Sequence, residues 1–431
     1  MIVKISDLKN HIGGEVEIKG WLYNFRSSGK IAFLQLRDGS GFVQAVASKD
    51  DLPAGDWEVI EKSGQESSVK VSGKVVEHPK HKGIFELQAT SYKLQANSLD
   101  YPIAKKEHGP DFLMENRHLW VRSNKQWAVL RIRDAVITAV NDYLHQEGFI
   151  KTDSPIFTPN ACEGTTTLFS VPYFDLGEAY LSQSGQLYLE ALIMSVGRCY
   201  DFGPVFRAEK SKTKRHLTEF WMMDAEGAFV EHEENLKIQE ALVKYIVKYC
   251  LENCEEEFKV LERDVEPLKK MLTQDFVKLT YKEAIEKLQS LGSDIKFGED
   301  LGNDDEGLLT KDSAVPVFIE KWPKKIKPFY MKQDPEDKTL VLNNDLIGIE
   351  GAGELIGGSQ REDDYDLLKA RIEKEGLNLE DFNWYLDLRK YGSVPHSGFG
   401  IGLERTVRWL AGVEHIRECI PFPRTITRLK P

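Results

Sequence analysis

The sequence predicts an α+β protein of two or three domains, and three observations carry that prediction. Residues 1–100 hold short alternating or apolar runs, EVEIKGWLYNFR, KIAFLQLRDGSGFVQAVA, SSVKVSGKVVEH and GIFELQATSYKLQ, parted by Gly, Ser and Asp turn signals. From Asn124 the apolar residues recur at helical spacing instead. After residue 315 short strand-like runs return as VPVFIEKWP, IKPFYMK and TLVLNNDLIGIEGAGELIGG. Strands and helices gathered in separate stretches, without strict alternation, describe α+β architecture. A length of 431 residues lets each domain bury its own core.

Each element follows from its pattern. Several short strands at this spacing predict a small barrel over residues 1–100, and a five-stranded OB-fold fits the size. Residues 101–123, with two prolines, mixed charge and little periodicity, read as a linker into a large domain at 124–431. Val129, Ile132, Val136, Val140 and Tyr143 mark an amphipathic helix that Gly148 ends, and Phe149–Pro159 then runs extended, confined to an edge by Pro155. Tyr200–Ala208 and Thr218–Phe229 read as a long antiparallel hairpin whose tip carries Lys210, Lys212, Lys214, Arg215 and His216. Residues 231–256 form a second long helix with Ile238, Leu242, Tyr245 and Tyr249 on one side. Residues 257–315 hold charged helical pieces and an acidic stretch, FGEDLGNDDEG, read as a solvated loop.

Composition excludes several classes. With 41% hydrophobic and 29% charged residues the chain is an ordinary globular protein. The opening MIVKISDLKNHIGG lacks a cationic region followed by an apolar stretch, and no run of about 18 apolar residues occurs, so neither secretion nor membrane spanning is expected. Cys162, Cys199, Cys250, Cys254 and Cys419 make neither a paired framework nor a zinc spacing, and reduced cytoplasmic thiols are expected. A net charge of −12 argues against indiscriminate coating of nucleic acid, but leaves room for a local basic track such as Lys210–Arg215.

TDSPIFTP at Thr152–Pro159, FRAE with its basic loop and RHLTEF at Phe206–Phe220, and GFGIGLERTVRWLAG at Gly398–Gly412 stand in a telling order. They resemble the first, second and third signature motifs of class II aminoacyl-tRNA synthetases, in the subgroup that handles aspartate, asparagine and lysine. The resemblance covers nearly the whole chain. It implies an anticodon-binding OB-fold, a catalytic antiparallel sheet flanked by helices, and a homodimer built on the helix and strand that follow Asn124. GWLYNFRSSGKIAFLQLRDGSG is close to the usual opening of that OB-fold. By this resemblance Phe33 would stack on the middle anticodon base, Gln44 would bond a base edge and Arg26 would lie nearby; the residues alone leave Phe33 open as a barrel-core side chain.

The implied chemistry is carboxylate activation by ATP, in which a carboxylate oxygen attacks the α-phosphorus in line and pyrophosphate leaves. Positioning and charge neutralisation do most of that work, so cations are needed at both ends of the triphosphate. By resemblance Arg207 holds the α-phosphate and the amino-acid carboxylate, and Arg405 grips the γ-phosphate and covers one face of the adenine. Phe220 stacks beneath the ring, Glu209, Arg215, His216 and Leu217 complete the nucleotide contacts, and Gly400 and Gly402 permit close approach. Glu354 is the implied Mg²⁺ ligand with Asp345 a second, while Gly357 stands where related aspartate enzymes carry a serine. Glu163 and Gln186 bind the substrate α-amino group.

The side-chain pocket distinguishes members of the subgroup. Aspartate enzymes read QLYK or QLFK, whereas QLYLEA puts Leu189 in the lysine position and Glu190 after it. A pocket without that charge but with Arg361 suits a carboxamide, its oxygen accepting from Arg361 and its NH₂ donating to Glu190. WYLDLRKYGSVPHSGFG likewise resembles asparaginyl more than aspartyl enzymes. The expected activity is ATP-dependent ligation of asparagine to its tRNA through asparaginyl-adenylate. The rivals are an aspartyl enzyme, possibly one serving both tRNAs, an ammonia-dependent asparagine synthetase of the same fold, and a binding protein that has lost the chemistry.

Overall fold

Strands β1 (Glu15–Ser28), β2 (Ile31–Arg37) and β3 (Phe42–Ser48), helix α1 (Asp56–Lys62), and strands β4 (Ser68–Glu77) and β5 (Phe85–Ala96) follow one another in the first part of the chain. The strands close into a barrel in the order β1-β2-β3-β5-β4. Alternation explains its inside and outside: Ala32, Leu34 and Leu36 of β2 are wholly buried, while Phe33 and Gln35 between them face outward. A register shift between Leu22 and Asn24 bends the long β1 against β2. The computed structural model describes residues 1–104, 106–163, 168–210 and 216–431, and it divides into two units, Met1–Leu113 and Met114–Pro431.

The segment 101–123, expected to be a linker, instead carries α2 (Pro110–Glu115) and α3 (Arg117–Trp120). Arg117 is wholly buried and donates from Nε to the Pro421 carbonyl and from Nη2 to the Ile420 carbonyl, both at 2.8 Å. Those bonds to distant carbonyls tie its second half into the large unit, a tertiary reason that composition does not show.

In the large unit α4 (Asn124–Gln146) starts where the Ser123 side chain accepts from the Gln126 amide, and Gly148 at φ +79° carries the chain out of it. Next come β6 (Ile150–Lys151), β7 (Phe157–Thr158), β8 (Ser170–Pro172), β9 (Glu178–Leu181), α5 (Gln186–Val196), β10 (Arg198–Phe206) and β11 (Glu219–Ala228). They are followed by α6 (His232–Asn253), α7 (Glu255–Val260), α8 (Glu266–Met271), β12 (Val277–Thr280), α9 (Tyr281–Ser290) and α10 (Asn303–Thr310). The chain closes with β13 (Val317–Glu320), β14 (Asn343–Gly348), β15 (Gly353–Gln360), α11 (Tyr365–Lys374), α12 (Leu379–Lys390), β16 (His396–Gly402) and α13 (Leu403–Ala411).

An eight-stranded sheet runs β12-β13-β14-β15-β16-β11-β10-β6, antiparallel through its centre and parallel at its two edge pairs. The apolar stripes of α4 and α6 share one core with the sheet residues Tyr200, Met223, Ile356 and Phe399. Part of the acidic stretch expected to be a loop is helical: Asp304, Asp305 and Glu306 form the first turn of α10, where carboxylates complement the helix dipole. IKPFYMK, expected as a strand, is a short 3-10 turn at Lys324–Ile326 and irregular chain beyond it. Among the described residues no helix is long and apolar enough to cross a membrane.

Candidate active site

The centre of the sheet floors a cleft of about 530 Å³. Arg207, just beyond β10, and Arg405, in the first turn of α13, both line it, as do Glu163, Gln186, Glu209, His216, Leu217, Phe220, Asp345, Glu354, Arg361, Gly400 and Gly402. Residues far apart in sequence thus meet because β11 pairs with both β10 and β16. The hairpin holds its expected geometry, with Val205 opposite Phe220, and the Arg207 amide donates to the Thr218 carbonyl at 3.0 Å. Arg215, with Ser211, Lys212, Thr213 and Lys214, lies outside the described residues.

The guanidiniums differ in how they are held. Arg207 sits 5.9 Å from the centroid of the Phe220 ring and donates from Nη2 to the Gln183 carbonyl at 3.4 Å. Its buried Nε has no hydrogen-bond partner among the described residues. Burial would lower the Arg207 pKa, but Glu163 and Glu209 outweigh it and raise it, so the side chain remains a cation. Arg405 donates from Nη1 to the Glu354 carbonyl and stands 3.8 Å from the Glu354 carboxylate. One donor is thus uncommitted and another is only loosely paired, as phosphate binding requires.

At the closed end lies a cluster of polar side chains. Glu163 accepts from the Tyr330 hydroxyl at 3.3 Å. Asp224 accepts from the Ser184 hydroxyl at 2.7 Å and the Gly185 amide at 2.9 Å. Arg361 donates from Nε to Glu226 at 3.1 and 3.3 Å, from Nη2 to the same carboxylate, and from Nη1 to Ser359 at 2.6 Å. The glycines of β16 make room for these carboxylates. A Cβ at Gly398 would meet Glu226 Oε1 at 2.0 Å and one at Gly400 would meet Asp224 Oδ1 at 2.5 Å, whereas one at Gly402 would crowd nothing. Gly400 therefore makes room for Asp224 while also lining the cleft.

Two expected contacts are absent from the cleft wall. Leu189 is wholly buried and packs with Ile193 and Cys199, because the helical turn points it into a small apolar cluster. Glu190, expected to accept from the substrate amide, is equally buried and is not among the cleft-lining residues. It pairs with Arg389 at 2.5 Å, with both oxygens accepting from the Tyr385 hydroxyl at 2.8 Å, and with His396 at 3.0 Å. Burial alone would raise the Glu190 carboxyl, but Arg389, His396 and Arg361 outweigh it and hold it well below the usual carboxylate range.

Asp224, Lys327 and Tyr330 line the cleft without having been expected there, and Glu226 stands behind its wall as the buried partner of Arg361. Asp224 and Glu226 were open to discovery: counting by two along β11 from Phe220 reaches Met222, Asp224 and Glu226 on one face. Lys327 and Tyr330 come from irregular chain, where no periodicity points to them.

The expected Mg²⁺ ligands Glu354 and Asp345 both line the cleft, on the paired strands β15 and β14. Lys327 donates to Asp345 at 2.7 Å. Burial pushes the Asp345 carboxyl up to about 7, with Lys327 pulling it down and Glu354 pushing it further up. Among the described residues no three His, Cys, Asp or Glu side chains are grouped to hold an ion. Two hard carboxylates opening on a cleft of cations still fit Mg²⁺, which takes one or two protein carboxylates and completes its shell from water and phosphate. A Cβ at Gly357 would stand 3.0 Å from Glu354 Oε1, so the glycine leaves space beside that ligand.

The outer face of the barrel carries a second hollow, of about 400 Å³, lined by Asn24, Arg26, Phe33, Gln35, Phe42, Val43 and Gln44. The three residues expected to read an anticodon thus share one surface. Arg26 lies 4.9 Å over the Phe33 ring from the neighbouring strand, and Gln44 donates to Glu86 at 2.5 Å. Phe33 faces outward on its strand, which removes the barrel-core alternative.

A closed OB-fold barrel together with a largely antiparallel sheet whose cleft is lined by two guanidiniums and an aromatic ring is the architecture of a class II synthetase. Residues 109–426 match the family described as tRNA synthetases class II (D, K and N), and residues 16–95 match the OB-fold nucleic acid binding domain. The chain belongs to this class II tRNA synthetase family. It is 42% identical to the asparaginyl-tRNA synthetase of Pyrococcus horikoshii, solved in complex with asparaginyl-adenylate, with a TM-score of 0.95 over 100% of this chain and 99% of that one. The Entamoeba histolytica asparaginyl-tRNA synthetase, also with asparaginyl-adenylate, is 32% identical, with a TM-score of 0.90 and 100% of both chains covered. The aspartyl tRNA synthetase of Entamoeba histolytica stands further off at 26% identity and a TM-score of 0.84, covering 100% of this chain and 93% of that one.

Proposed function

We propose that the protein is an asparagine–tRNA ligase, which joins asparagine to its tRNA through asparaginyl-adenylate with ATP as cosubstrate. The observation that carries this reading is the Arg361–Glu226 couple at the closed end of the cleft. The guanidinium is already neutralised by its partner, with Glu190 4.0 Å away on another side. A carboxamide oxygen accepts from Arg361, and Glu226, the direct partner of that guanidinium, takes the part first expected of Glu190 as acceptor for the amide NH₂. An aspartate side chain would add a charge beside two carboxylates, a mismatch that can reject by roughly 10⁴. The asparaginyl-adenylate bound by two relatives supports the same choice.

The α-ammonium is held by Glu163 and Gln186. Arg207, with its uncommitted Nε, takes the asparagine carboxylate and the α-phosphate together. The carboxylate oxygen attacks the α-phosphorus, a bond from oxygen to phosphorus forms, and the bond to the β-phosphate oxygen breaks as pyrophosphate leaves. Arg405 holds the γ-phosphate end, Phe220 stacks under the adenine, and Glu209, His216, Leu217 and Gly402 bound the nucleotide. Glu354 and Asp345 would hold Mg²⁺, which when bound would supply neutralisation of phosphate charge. The adenylate then passes its asparaginyl group to the 3′-terminal adenosine of the tRNA, AMP being released.

Selection of the tRNA falls to the barrel face, where Phe33 stacks a base, Gln44 bonds a base edge and Arg26 backs the ring. The domain arrangement is an anticodon-binding barrel over 1–100 and a catalytic domain carrying a helical insertion around 257–315. The protein works in the cytoplasm as a homodimer. Supporting the dimer, Ile150, Ile156, Phe157, Phe169, Phe174 and Leu176 expose large apolar side chains along β6 to β9. Amino-acid-dependent ATP–pyrophosphate exchange tests the central reading. Asparagine should drive exchange and aspartate should not; the reverse would make the protein an aspartyl enzyme. Free asparagine made from aspartate, ATP and ammonia would make it a synthetase of the amino acid instead.

A further inference from the structure

Gln186 opens α5 and lines the cleft, and Glu190 follows one turn later, so the two side chains meet on one helix face. Gln186 donates from Nε2 to Glu190 Oε1 at 3.0 Å, in a place where Glu190 is wholly buried. A carboxamide carries two donors on nitrogen and acceptors on oxygen. Turning it over would set its oxygen against an ionised carboxylate, so the partner decides which end faces the cleft. The carboxylate cannot itself turn away, since Arg389, Tyr385 and His396 hold both of its oxygens. An ammonium offers only donors and needs acceptors around it.

We propose that Glu190 is a positioning residue for amino-acid recognition: it fixes the Gln186 carboxamide so that its oxygen, and not its NH₂, is presented to the substrate α-ammonium. The proposal rests on the asparagine-binding reading of the cleft and deepens it. It also gives Glu190 a task that a purely structural ion pair with Arg389 would not have, and the two can be told apart.

The test compares binding of asparagine with that of succinamic acid, which keeps the carboxylate and the carboxamide but lacks the α-amino group, to the full-length enzyme. The wild type should prefer asparagine. Glu190→Asp keeps the charge beside Arg389 but withdraws it from Gln186, and the preference should fall at least tenfold. Glu190→Gln, which keeps the volume, should reduce it as well, and thermal melting of each variant identifies any that does not fold. Gln186→Met leaves the Arg389 pair intact and should reduce the preference to the same extent as Glu190→Asp, and adding Glu190→Asp to it should cause no further fall. Full preference retained in Gln186→Met overturns the proposal, whatever becomes of the Glu190 variants. So does an equal loss of both ligands in Glu190→Asp, or an undiminished effect of Glu190→Asp when Gln186 is already Met. A wild type that binds aspartate in place of asparagine would instead defeat the functional reading, an outcome visible before any variant is made.

Discussion

Asp201 sits beside Ser154 in a smaller hollow, where burial and the nearby Asp224 push its carboxyl up to about 7. The unfolded chain titrates this group near 3.9. Between those values the native protein holds a proton that the unfolded chain has released, so stability falls as pH rises. The contribution is complete below the unfolded value and gone once pH has passed about 7. Asp201→Asn should therefore flatten the decline of Tm between about pH 4 and pH 7 and raise Tm at the upper end. An unchanged slope in thermal melts across that range would assign the decline to other groups. Arg405 calls for a different measurement. Its guanidinium is loosely paired with Glu354, and removing a comparable charge-stabilising donor costs about 10²–10³ in rate elsewhere. Arg405→Ala should lose pyrophosphate exchange by that order while tRNA binding stays near wild type; equal loss of both would contradict its placement at the triphosphate.

Single elements explain why some expectations held and others moved. The hairpin of β10 and β11 was legible because alternation and a polar tip specify strands and their turn without help from the rest of the chain. Helix α5 was legible as a string, but not in its directions. Leu189 and Glu190 stand three and four residues after Gln186, on nearly the same side of the helix, and yet only Gln186 opens on the cleft, because one turn further along the side chains are covered by Ile193 and Cys199 and by Arg389. Leu189→Ala should thus cost about 2–5 kcal/mol of stability, read by denaturant unfolding, with little change in the asparagine KM of the folded fraction. A large KM change without destabilisation would return Leu189 to the pocket wall. The swap Leu189→Lys with Glu190→Gln, attractive from sequence as a route to aspartate, would bury an ammonium and strip Arg389 of its partner.

At the scale of the whole molecule, the chain folds as two units, each with its own core. Phe33 faces outward on the barrel, away from the packed Ala32, Leu34 and Leu36. Phe33→Ala should weaken tRNA charging by about 1–3 kcal/mol, the worth of one base stack, and leave pyrophosphate exchange and Tm unchanged. A fall in exchange or in Tm would make it a structural residue.

What the sequence determined by itself was local: periodicities of two and of about 3.6, turn residues, and the strings that carry Arg207, Glu354 and Arg405. What only the tertiary structure decided was which charges meet. Glu226 faces Arg361, Lys327 covers Asp345, and Glu190 turns inward to Arg389, because strand pairing and helix packing bring together side chains separated by as many as 199 positions. Charge pairing depends on distance in space and on burial, and neither can be read from order along the chain.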